Sequence, residues 1–357
     1  MLSNPMSNPK KIYVFCPNDF VTGGPDALHQ MVYYLNEIGC DAEIVYYAFS
    51  KKHVFSIPEA YKPYISRFIT EKDFVDDYGN IVILPEHAVN KLKLVKKSKA
   101  FVWWLSVDNN RNRSSLFWKL FFFATLPARV VKNWHYYKKR FAEAIVKTLQ
   151  MEKYDFGAEP ENVEHICASY YAQDFVSRRS KHKTTLCIEP ISKVFLEKYN
   201  ACKGEIDSLE RKDNILYNPR KSGAFVAKLA ELAPDLNFVP LKGLTQEELI
   251  EKYKTSKLYV DFGPFPGAER IPKEAALFGC CVITGRNGAS NFYGDVPIPD
   301  EYKFADYSTQ AELVIQKIRD VLANYDSKKS DFGAYRNTVL SLESNFMNSL
   351  KECMQNG

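Results

Sequence analysis

The sequence predicts an α/β protein with two domains, each a doubly wound parallel sheet. Apolar runs of strand length alternate with helix-period segments along the chain, which is typical of repeated strand–helix units. A strand followed by a turn and an amphipathic helix opens near residue 12, and again near residue 214. The chain has 357 residues, 46% of them hydrophobic, and is therefore long enough to fill two cores.

The first half opens with an apolar run at 12–16, which predicts its first strand. Gly23 and Gly24 predict a tight turn after this strand. A helix should follow and end at Gly39, because glycine is favoured just past a helix C-terminus. Further buried strands are expected at 42–47, 81–84 and 100–105.

Polar residues follow several of these strands. In open α/β sheets ligands bind beyond the carboxyl ends of the strands, so these residues should face a cleft. Asp19 follows the first strand and Asp26 lies near the glycine turn, where a carboxylate can serve as a general base. His87 and Asp108 follow two later strands. The alternatives are structural: His87 as a hydrogen-bonded loop histidine, and Asp108 as a helix cap.

The second half repeats the pattern with strands near 214–217 and 236–241. Arg220 and Lys221 follow the first strand, where they either contact phosphate or are simple turn residues. Lys242 and Gly243 follow the second. Thr245 should cap the next helix, with Glu248 three residues later completing a capping box (Thr245 to Glu248).

The segment 258–284 is the most informative part of the sequence. It predicts a strand at 258–260, a loop of glycines and prolines, a short helix with Pro272 in its first turn, and a strand at 280–283. The N-terminus of a helix behind such a loop binds anions, because its N–H groups are unpaired and its dipole is positive there. Arg270 and Lys273 add positive charge. Glu274, expected in the first turn, can accept two hydrogen bonds from a vicinal diol, so the segment suits a nucleotide.

This segment is similar to the donor-binding core of GT-B glycosyltransferases, especially the large retaining group. Those enzymes carry two glutamates with seven residues between them, followed by Ala-x-x-x-Gly and an apolar strand. Glu274, Ala275 and Gly279 match the second half of that motif. The first glutamate would fall at Pro266, and Glu269 is the nearest replacement, three residues out of register.

The resemblance covers nearly the whole chain in five ordered segments, at 12–47, 165–175, 186–191, 214–221 and 258–284. It implies the last strand and helix of the first domain at 165–175 and the strand into the linker at 186–191. It implies a GT-B fold in which 1–192 is an acceptor-binding Rossmann-like domain and 193–340 binds the nucleotide-sugar. Residues 341–357 would form a helix that returns to the first domain.

The resemblance also implies a set of site residues. Donor-nucleotide contacts are expected from Arg220, Lys221, Lys242, Gly243, Gly267, Arg270, Ile271 and Glu274. Catalytic roles are expected for Asp108, His87 and Asp19, and acceptor or sugar contacts for Gly23, Gly24, Asp26 and Glu269. No metal site and no cofactor are expected, because the sequence has no Asp-x-Asp.

The implied activity is transfer of a sugar from a nucleotide-sugar to a glycan or lipid-linked glycan in bacterial capsule or lipopolysaccharide synthesis, with retention of configuration. The alternatives are a sugar-nucleotide epimerase of the same fold and a non-catalytic GT-B binding module, which Pro266 keeps open. A dinucleotide dehydrogenase is disfavoured, because no Gly-x-Gly-x-x-Gly follows either first strand.

Composition fits a cytoplasmic protein that does not bind nucleic acid. The net charge is +5, and the eight cysteines include no Cys-x-x-Cys pair. The first residues lack the apolar core of a signal peptide, and no run reaches the ~18 apolar residues of a spanning helix. The oligomeric state does not follow from the sequence.

Residues 111–140 mix basic and aromatic side chains around the apolar stretch 116–126. Such a segment suits the surface of an anionic membrane, which would place the protein on the inner face of the membrane. The alternative is a buried helix of the first domain with basic residues on its wet face. The sequence leaves both open.

Overall fold

The structure, a computed structural model, describes residues 11–18, 21–49, 53–111, 116–132, 145, 148 and 152–355. The chain divides into two compact units. Unit 1 comprises Met1–Ala168, Ala172–Glu189 and Asn345–Gly357, and unit 2 comprises Ser169–Tyr171 and Pro190–Ser344. Each unit is built on one parallel sheet, so the predicted pair of doubly wound α/β domains is confirmed.

Unit 1 contains a seven-stranded sheet in the order β3-β2-β1-β4-β5-β6-β7. Its strands are β1 (Ile12–Pro17), β2 (Ala42–Tyr47), β3 (Ile69–Thr70), β4 (Ile81–Pro85), β5 (Lys99–Trp104), β6 (Val163–Cys167) and β7 (Thr184–Leu186). β1, β2 and β4 are buried along their whole length, as expected for parallel strands covered on both faces. The prediction of a strand at 186–191 is wrong, because β7 ends at Leu186. Pro190, within the predicted range, has no N–H that could donate a hydrogen bond to a neighbouring strand.

Among the described residues, the longer helices in this part of the chain are α1 (Gly23–Glu37), α2 (Val107–Arg111), α3 (Leu116–Lys132) and α4 (Tyr170–Ser177). Gly23 and Gly24 form the first turn of α1, not a turn before it as predicted. Pro25 favours this earlier start, because its φ is helical and its missing N–H falls where helix N–H groups are unpaired anyway. Gly39 has a φ of 88°, which confirms its predicted place past the helix end.

Unit 2 contains a five-stranded parallel sheet in the order β12-β11-β10-β8-β9. Its strands are β8 (Lys212–Tyr217), β9 (Asn237–Pro240), β10 (Ser256–Asp261), β11 (Cys281–Gly285) and β12 (Lys303–Phe304). The remaining helices are α5 (Lys193–Cys202), α6 (Pro219–Leu232), α7 (Gln246–Thr255), α8 (Arg270–Leu277), α9 (Ala311–Ala323), α10 (Tyr325–Lys328) and α11 (Gly333–Gln355). Short 3-10 helices occur at Glu59–Tyr61, Glu86–Leu94, Gly288–Asn291, Asp300–Tyr302 and Lys329–Phe332.

Two local predictions in unit 2 are confirmed. The Thr245 hydroxyl accepts a hydrogen bond from the Glu248 N–H at 3.2 Å, and the Glu248 carboxylate accepts one from the Thr245 N–H at 2.8 Å. This is the capping box at the start of α7. Gly279 lies just past α8 with a φ of 96°. Both follow from short-range sequence signals.

The last turns of α11 pack in the core of unit 1. Phe346, Leu350 and Cys353 are buried in that core. The ring of Phe346 lies 5.6 Å from the ring of Tyr34 and 6.0 Å from that of Trp103, between centroids. The end of the final helix therefore belongs to unit 1.

α3 shows features of both alternatives for the 116–126 stretch. Phe122 and Leu126 are buried, whereas Leu120 is 61% exposed and Phe121 48% exposed. Much of the basic part of 111–140, including Lys138 and the segment around it, lies outside the described residues. Within the described residues, no helix combines the length and apolar content needed to cross a bilayer.

Candidate functional site

The candidate site in unit 2 lies where the strand order reverses. β8 pairs with β9 on one side and with β10 on the other. In an open parallel sheet such a reversal leaves a crevice beyond the carboxyl ends of the two diverging strands. Lys221 follows β8 in the first turn of α6, and Glu269 ends the loop that follows β10. The reversal therefore brings these two predicted residues together.

Asp261, the last residue of β10, organises this loop. Its buried carboxylate accepts hydrogen bonds from the Ser222 hydroxyl at 3.0 Å, the Gly263 N–H at 3.0 Å and the Tyr259 hydroxyl at 2.9 Å. The Ser222 hydroxyl oxygen in turn accepts the Phe262 N–H at 2.9 Å. Hydrogen bonds to a carboxylate are stronger than neutral ones, so Asp261 holds the start of α6 and the loop in one arrangement.

Lys221 is held against this loop. A Cβ at Gly263 would come within 2.4 Å of the Lys221 Cβ, so only glycine allows this approach. The Lys221 ammonium donates to the Pro264 carbonyl oxygen at 3.2 Å, and its nitrogen lies 5.6 Å from the centre of the Phe265 ring. The same nitrogen lies 2.5 Å from the Glu269 carboxylate. The ammonium is therefore already paired with an anion, and 22% of the Lys221 side chain is exposed.

Glu269 is the N-cap residue of α8, and 21% of its side chain is exposed. Burial raises its pKa above the ordinary value for a glutamate, and the charge of Asp261 adds to this shift. The ammonium groups of Lys221 and Lys273 oppose it. The ionised carboxylate therefore depends on Lys221 as its closest partner.

Glu274 is the fifth residue of α8, not a first-turn residue as predicted. The helix begins at Arg270, because Glu269 takes the extended N-cap conformation. The Glu274 carboxylate is mostly buried and accepts a hydrogen bond from the Tyr253 hydroxyl at 3.3 Å. Burial, and then the charge of Glu274, raise the Tyr253 pKa well above its usual value, so this phenol stays protonated and keeps donating.

Three other predicted donor contacts lie at the start of α8. Gly267 is a buried loop residue, and Arg270 and Ile271 are the first two residues of the helix and are half-buried. The first N–H groups of an α-helix have no intrahelical partner and lie at the positive end of its dipole. Arg270 therefore adds a formal charge to an end that already favours anions.

The segment after β11 supports the loop from the other side. Asn287 donates from its side-chain amide to the carbonyl oxygens of Phe262 and Gly263 at 3.3 and 3.4 Å. Gly288 has a φ of 60°, and a Cβ there would lie 2.1 Å from the Phe265 carbonyl oxygen. Asn287 and Gly288 thus fix the loop after β10, and sequence reasoning missed both.

The structure does not place the other predicted phosphate contacts against this cluster. The Arg220 side chain is exposed, and its backbone N–H is capped by the Asn218 side chain at 3.0 Å. Lys242 is exposed and Gly243 has a φ of 70°; both follow β9 at the edge of the sheet. Their donor contacts stay predictions.

The predicted residues of unit 1 lie at the carboxyl edge of its sheet. Gly23 and Gly24 open α1 after β1, and Asp26 accepts a hydrogen bond from the Gln30 amide at 2.9 Å. His87 lies in the 3-10 helix after β4, with its Nε2 3.0 Å from the Tyr47 hydroxyl. Asp108 is the second residue of α2, after β5, and Asp19 lies outside the described residues.

Glu86 is a buried carboxylate at this edge that sequence reasoning did not single out. It accepts hydrogen bonds from the Leu105 N–H at 3.1 Å and the Asn109 side chain at 3.2 Å. Asn110 donates to the Glu86 carbonyl oxygen at 3.0 Å. Glu86 therefore links the segments that follow β4 and β5.

Comparison with solved structures settles the fold. A glycosyltransferase from Rickettsia africae ESF-5 matches with a TM-score of 0.54 and 13% identity, over 98% of this chain and 99% of that one. Sucrose-phosphate synthase from Thermosynechococcus elongatus matches with a TM-score of 0.56 and 13% identity, over 97% and 98%. TarM matches with a TM-score of 0.55 and 11% identity, over 98% and 99%.

The chain has the GT-B fold. No protein-family model matches its sequence, and no curated protein does either. At 11–13% identity, the similarity to these GT-B structures establishes the architecture and not the reaction.

One feature of the sequence could have identified Asp261, the residue that holds the loop after β10 in place. It is the first charged residue after the apolar run 258–260, and it directly precedes the loop. An acidic residue that ends a buried parallel strand commonly lies at the ligand edge of the sheet. Within the described residues, no group of three or more His, Cys, Asp or Glu side chains is placed to hold a metal ion.

Proposed function

We propose that this chain is a glycosyltransferase that moves a sugar from a nucleotide-sugar donor to a glycan or lipid-linked glycan. One observation carries the proposal: Lys221, Glu269 and the N-terminus of α8 meet at the strand reversal of the second GT-B unit. Proteins bind a diphosphate with cationic side chains, with the N–H groups of a helix N-terminus, and with a glycine-containing loop that lets the backbone come close.

Each residue has a distinct role in this proposal. Lys221 and the N-terminus of α8, with Arg270, neutralise the charge that develops on the departing nucleoside diphosphate. Glu274 accepts hydrogen bonds from the ribose hydroxyls. Since cationic side chains and backbone N–H groups supply this stabilisation, the reaction needs no metal ion, and it should be insensitive to chelators. The resemblance to the retaining group supports retention of configuration and a role in bacterial surface polysaccharide synthesis.

Binding of nucleotide-sugars tests this function directly. We expect at least one of UDP-glucose, GDP-mannose, dTDP-glucose and CMP-sialic acid to bind in calorimetry, and to be consumed when a glycan acceptor is added. Consumption of the donor without an acceptor would favour an epimerase. Binding of a donor without sugar transfer to any acceptor would favour a non-catalytic binding module.

Glu274→Ala should weaken binding of that donor by about 1.5–3 kcal/mol, the usual value of a hydrogen bond to a charged group. Where that donor contains ribose, as the UDP, GDP and CMP sugars do, the parent protein should also prefer it over its 2′-deoxy form. If Glu274 binds the ribose, the variant loses that preference, because the hydroxyl no longer has its partner.

This comparison separates a ribose contact from general damage to the fold. Glu274→Ala leaves the buried Tyr253 hydroxyl without an acceptor, so some loss of stability is expected in either case. Structural damage alone would weaken the donor and its 2′-deoxy form equally. An undiminished preference for the 2′-hydroxyl in the variant would contradict the assignment.

The acceptor side of the proposal includes contact with an anionic membrane through α3. Leu120, Phe121 and Phe123 are large apolar side chains on the exposed part of this helix. The surrounding segment 111–140 is rich in lysine and arginine. Exposed apolar residues next to basic ones suit the interface of an anionic bilayer, where a lipid-linked acceptor would be found.

Vesicle binding by paired variants tests this contact. The protein should co-sediment with phosphatidylserine vesicles, and salt should weaken the binding by screening the basic residues. Leu120→Ser with Phe121→Ser should abolish sedimentation without lowering the melting temperature. Phe122→Ser is the matched control: Phe122 is buried, so this variant should lose about 3 kcal/mol or more of stability. Failure of the parent protein to sediment would end the membrane proposal.

A further inference from the structure

The Lys221 ammonium has two anionic partners to bind, the Glu269 carboxylate and the donor diphosphate. It is the cation that the proposed function gives to the donor diphosphate, yet it already lies 2.5 Å from the Glu269 carboxylate. A phosphate at the same ammonium would stand beside this carboxylate, and like charges at that distance disfavour each other. Displacement of one anion, or loss of its charge, relieves this repulsion.

The surroundings of Glu269 favour loss of charge. The charged and titratable groups whose electrostatic influence couples to Glu269 include Lys221 of α6, Tyr259 and Asp261 of β10, Lys273 of α8 and Tyr335 of α11. Burial already raises the Glu269 pKa while Lys221 is in place. A diphosphate that draws the ammonium away removes the nearest support of the charged form and adds negative charge.

Resting on the proposed function, we propose that the donor diphosphate replaces Glu269 on Lys221 and that the released Glu269 carboxylate takes up one proton from solvent. Glu269 thereby changes from an acceptor paired with a cation to a neutral carboxyl group that can donate a hydrogen bond. In the free protein, the Lys221–Glu269 ion pair keeps the lysine paired with an anion until a donor phosphate binds.

The exchange has a defined pH dependence. Because the carboxyl group holds its proton more tightly in the complex than in the free protein, donor affinity is highest at low pH. It falls as the pH rises from the pKa of the free state to that of the complex, by up to about tenfold per pH unit. In the same window, calorimetry in two buffers with different ionisation enthalpies should show uptake of close to one proton. Nucleotide-sugars suit this test, because their diester phosphates do not titrate near neutral pH.

Glu269→Gln provides the decisive variant. Glutamine cannot take up the proton and does not compete as an anion for Lys221. The variant should therefore bind the donor with a Kd that no longer depends on pH in this window, and more tightly than the parent protein at the alkaline end. Glu247→Gln is the matched control, since it removes one exposed charge from α7 and should leave both the pH dependence and the proton uptake unchanged.

The outcomes separate this inference from the proposed function. Donor binding without proton uptake would overturn the exchange alone; it would show that Glu269 stays ionised, either on Lys221 or on Lys273. A Glu269→Gln variant that keeps the pH dependence of the parent would overturn it as well. If none of UDP-glucose, GDP-mannose, dTDP-glucose and CMP-sialic acid binds, the proposed function fails and the exchange fails with it.

Discussion

Lys221→Met is expected to weaken nucleotide-sugar binding as strongly as any single change in the crevice. Methionine keeps the stem of the side chain beside Gly263 but removes the ammonium, so about 1.5–3 kcal/mol of charge-assisted bonding is lost, or roughly ten- to a hundredfold in Kd. Binding of the nucleoside alone should hardly change, because it carries no phosphate. Calorimetry with both ligands measures the difference.

Arg220→Met is the matched control for this prediction. The two residues are adjacent and equally charged, and the sequence assigns both to phosphate. In the structure, however, the Arg220 side chain is exposed while Lys221 lies in the loop. An exposed charge contributes about 0–1 kcal/mol, so this variant should retain most of its affinity. Equal losses from the two substitutions, or equal losses for nucleoside and nucleotide-sugar, would contradict the role of Lys221.

The contrast between these neighbours shows what the sequence can and cannot specify. Strand positions, the capping box at Thr245 and the left-handed glycines at 39 and 279 follow from signals within a few residues. Such short-range predictions hold in the folded protein because the backbone preferences on which they rest depend only on neighbouring residues. The resemblance to GT-B enzymes adds the order of the elements, and the fold agrees with it.

The contacts of the site depend instead on residues far apart in the chain. Lys221 and Glu269 are separated by 48 positions, and Ser222 and Asp261 by 39. No periodicity predicts such pairs, because the sheet brings them together. The family pattern places its first glutamate at position 266, which is a proline in this chain, and Glu269, the nearest replacement, is the carboxylate that lies beside the lysine.

The same limit applies to helix faces. The apolar stretch at 116–126 predicted either a membrane segment or a core helix, and periodicity alone could not choose between them. In the structure, Phe122 is buried while Phe121 beside it is 48% exposed. Which face of α3 is covered depends on what packs against it, and this is tertiary information.

Asp261→Ala should cause a large loss of stability in unit 2. It removes the acceptor of three donors, the hydroxyls of Ser222 and Tyr259 and the N–H of Gly263, all in a buried setting. Each buried donor left unpaired costs about 1–3 kcal/mol, so a loss of at least about 3 kcal/mol is expected. For a unit of this size the melting temperature should fall by roughly 6–12 °C. Asp213→Ala, at the exposed ion pair of Asp213 with Lys257 (2.6 Å), should cost about 1 kcal/mol or less.

A double-mutant cycle shows whether the unpaired donors cause that loss. Tyr259→Phe removes one of the three donors, so combining it with Asp261→Ala should be less destabilising than the sum of the two single changes. Simple loss of packing at Asp261 would instead make the two effects additive. Since the same three bonds hold the loop that positions Lys221, the doubly substituted protein should recover stability without recovering nucleotide-sugar binding. Recovery of both would mean that the loop keeps its arrangement without Asp261, and that Lys221 is positioned by Glu269 and the Pro264 carbonyl alone.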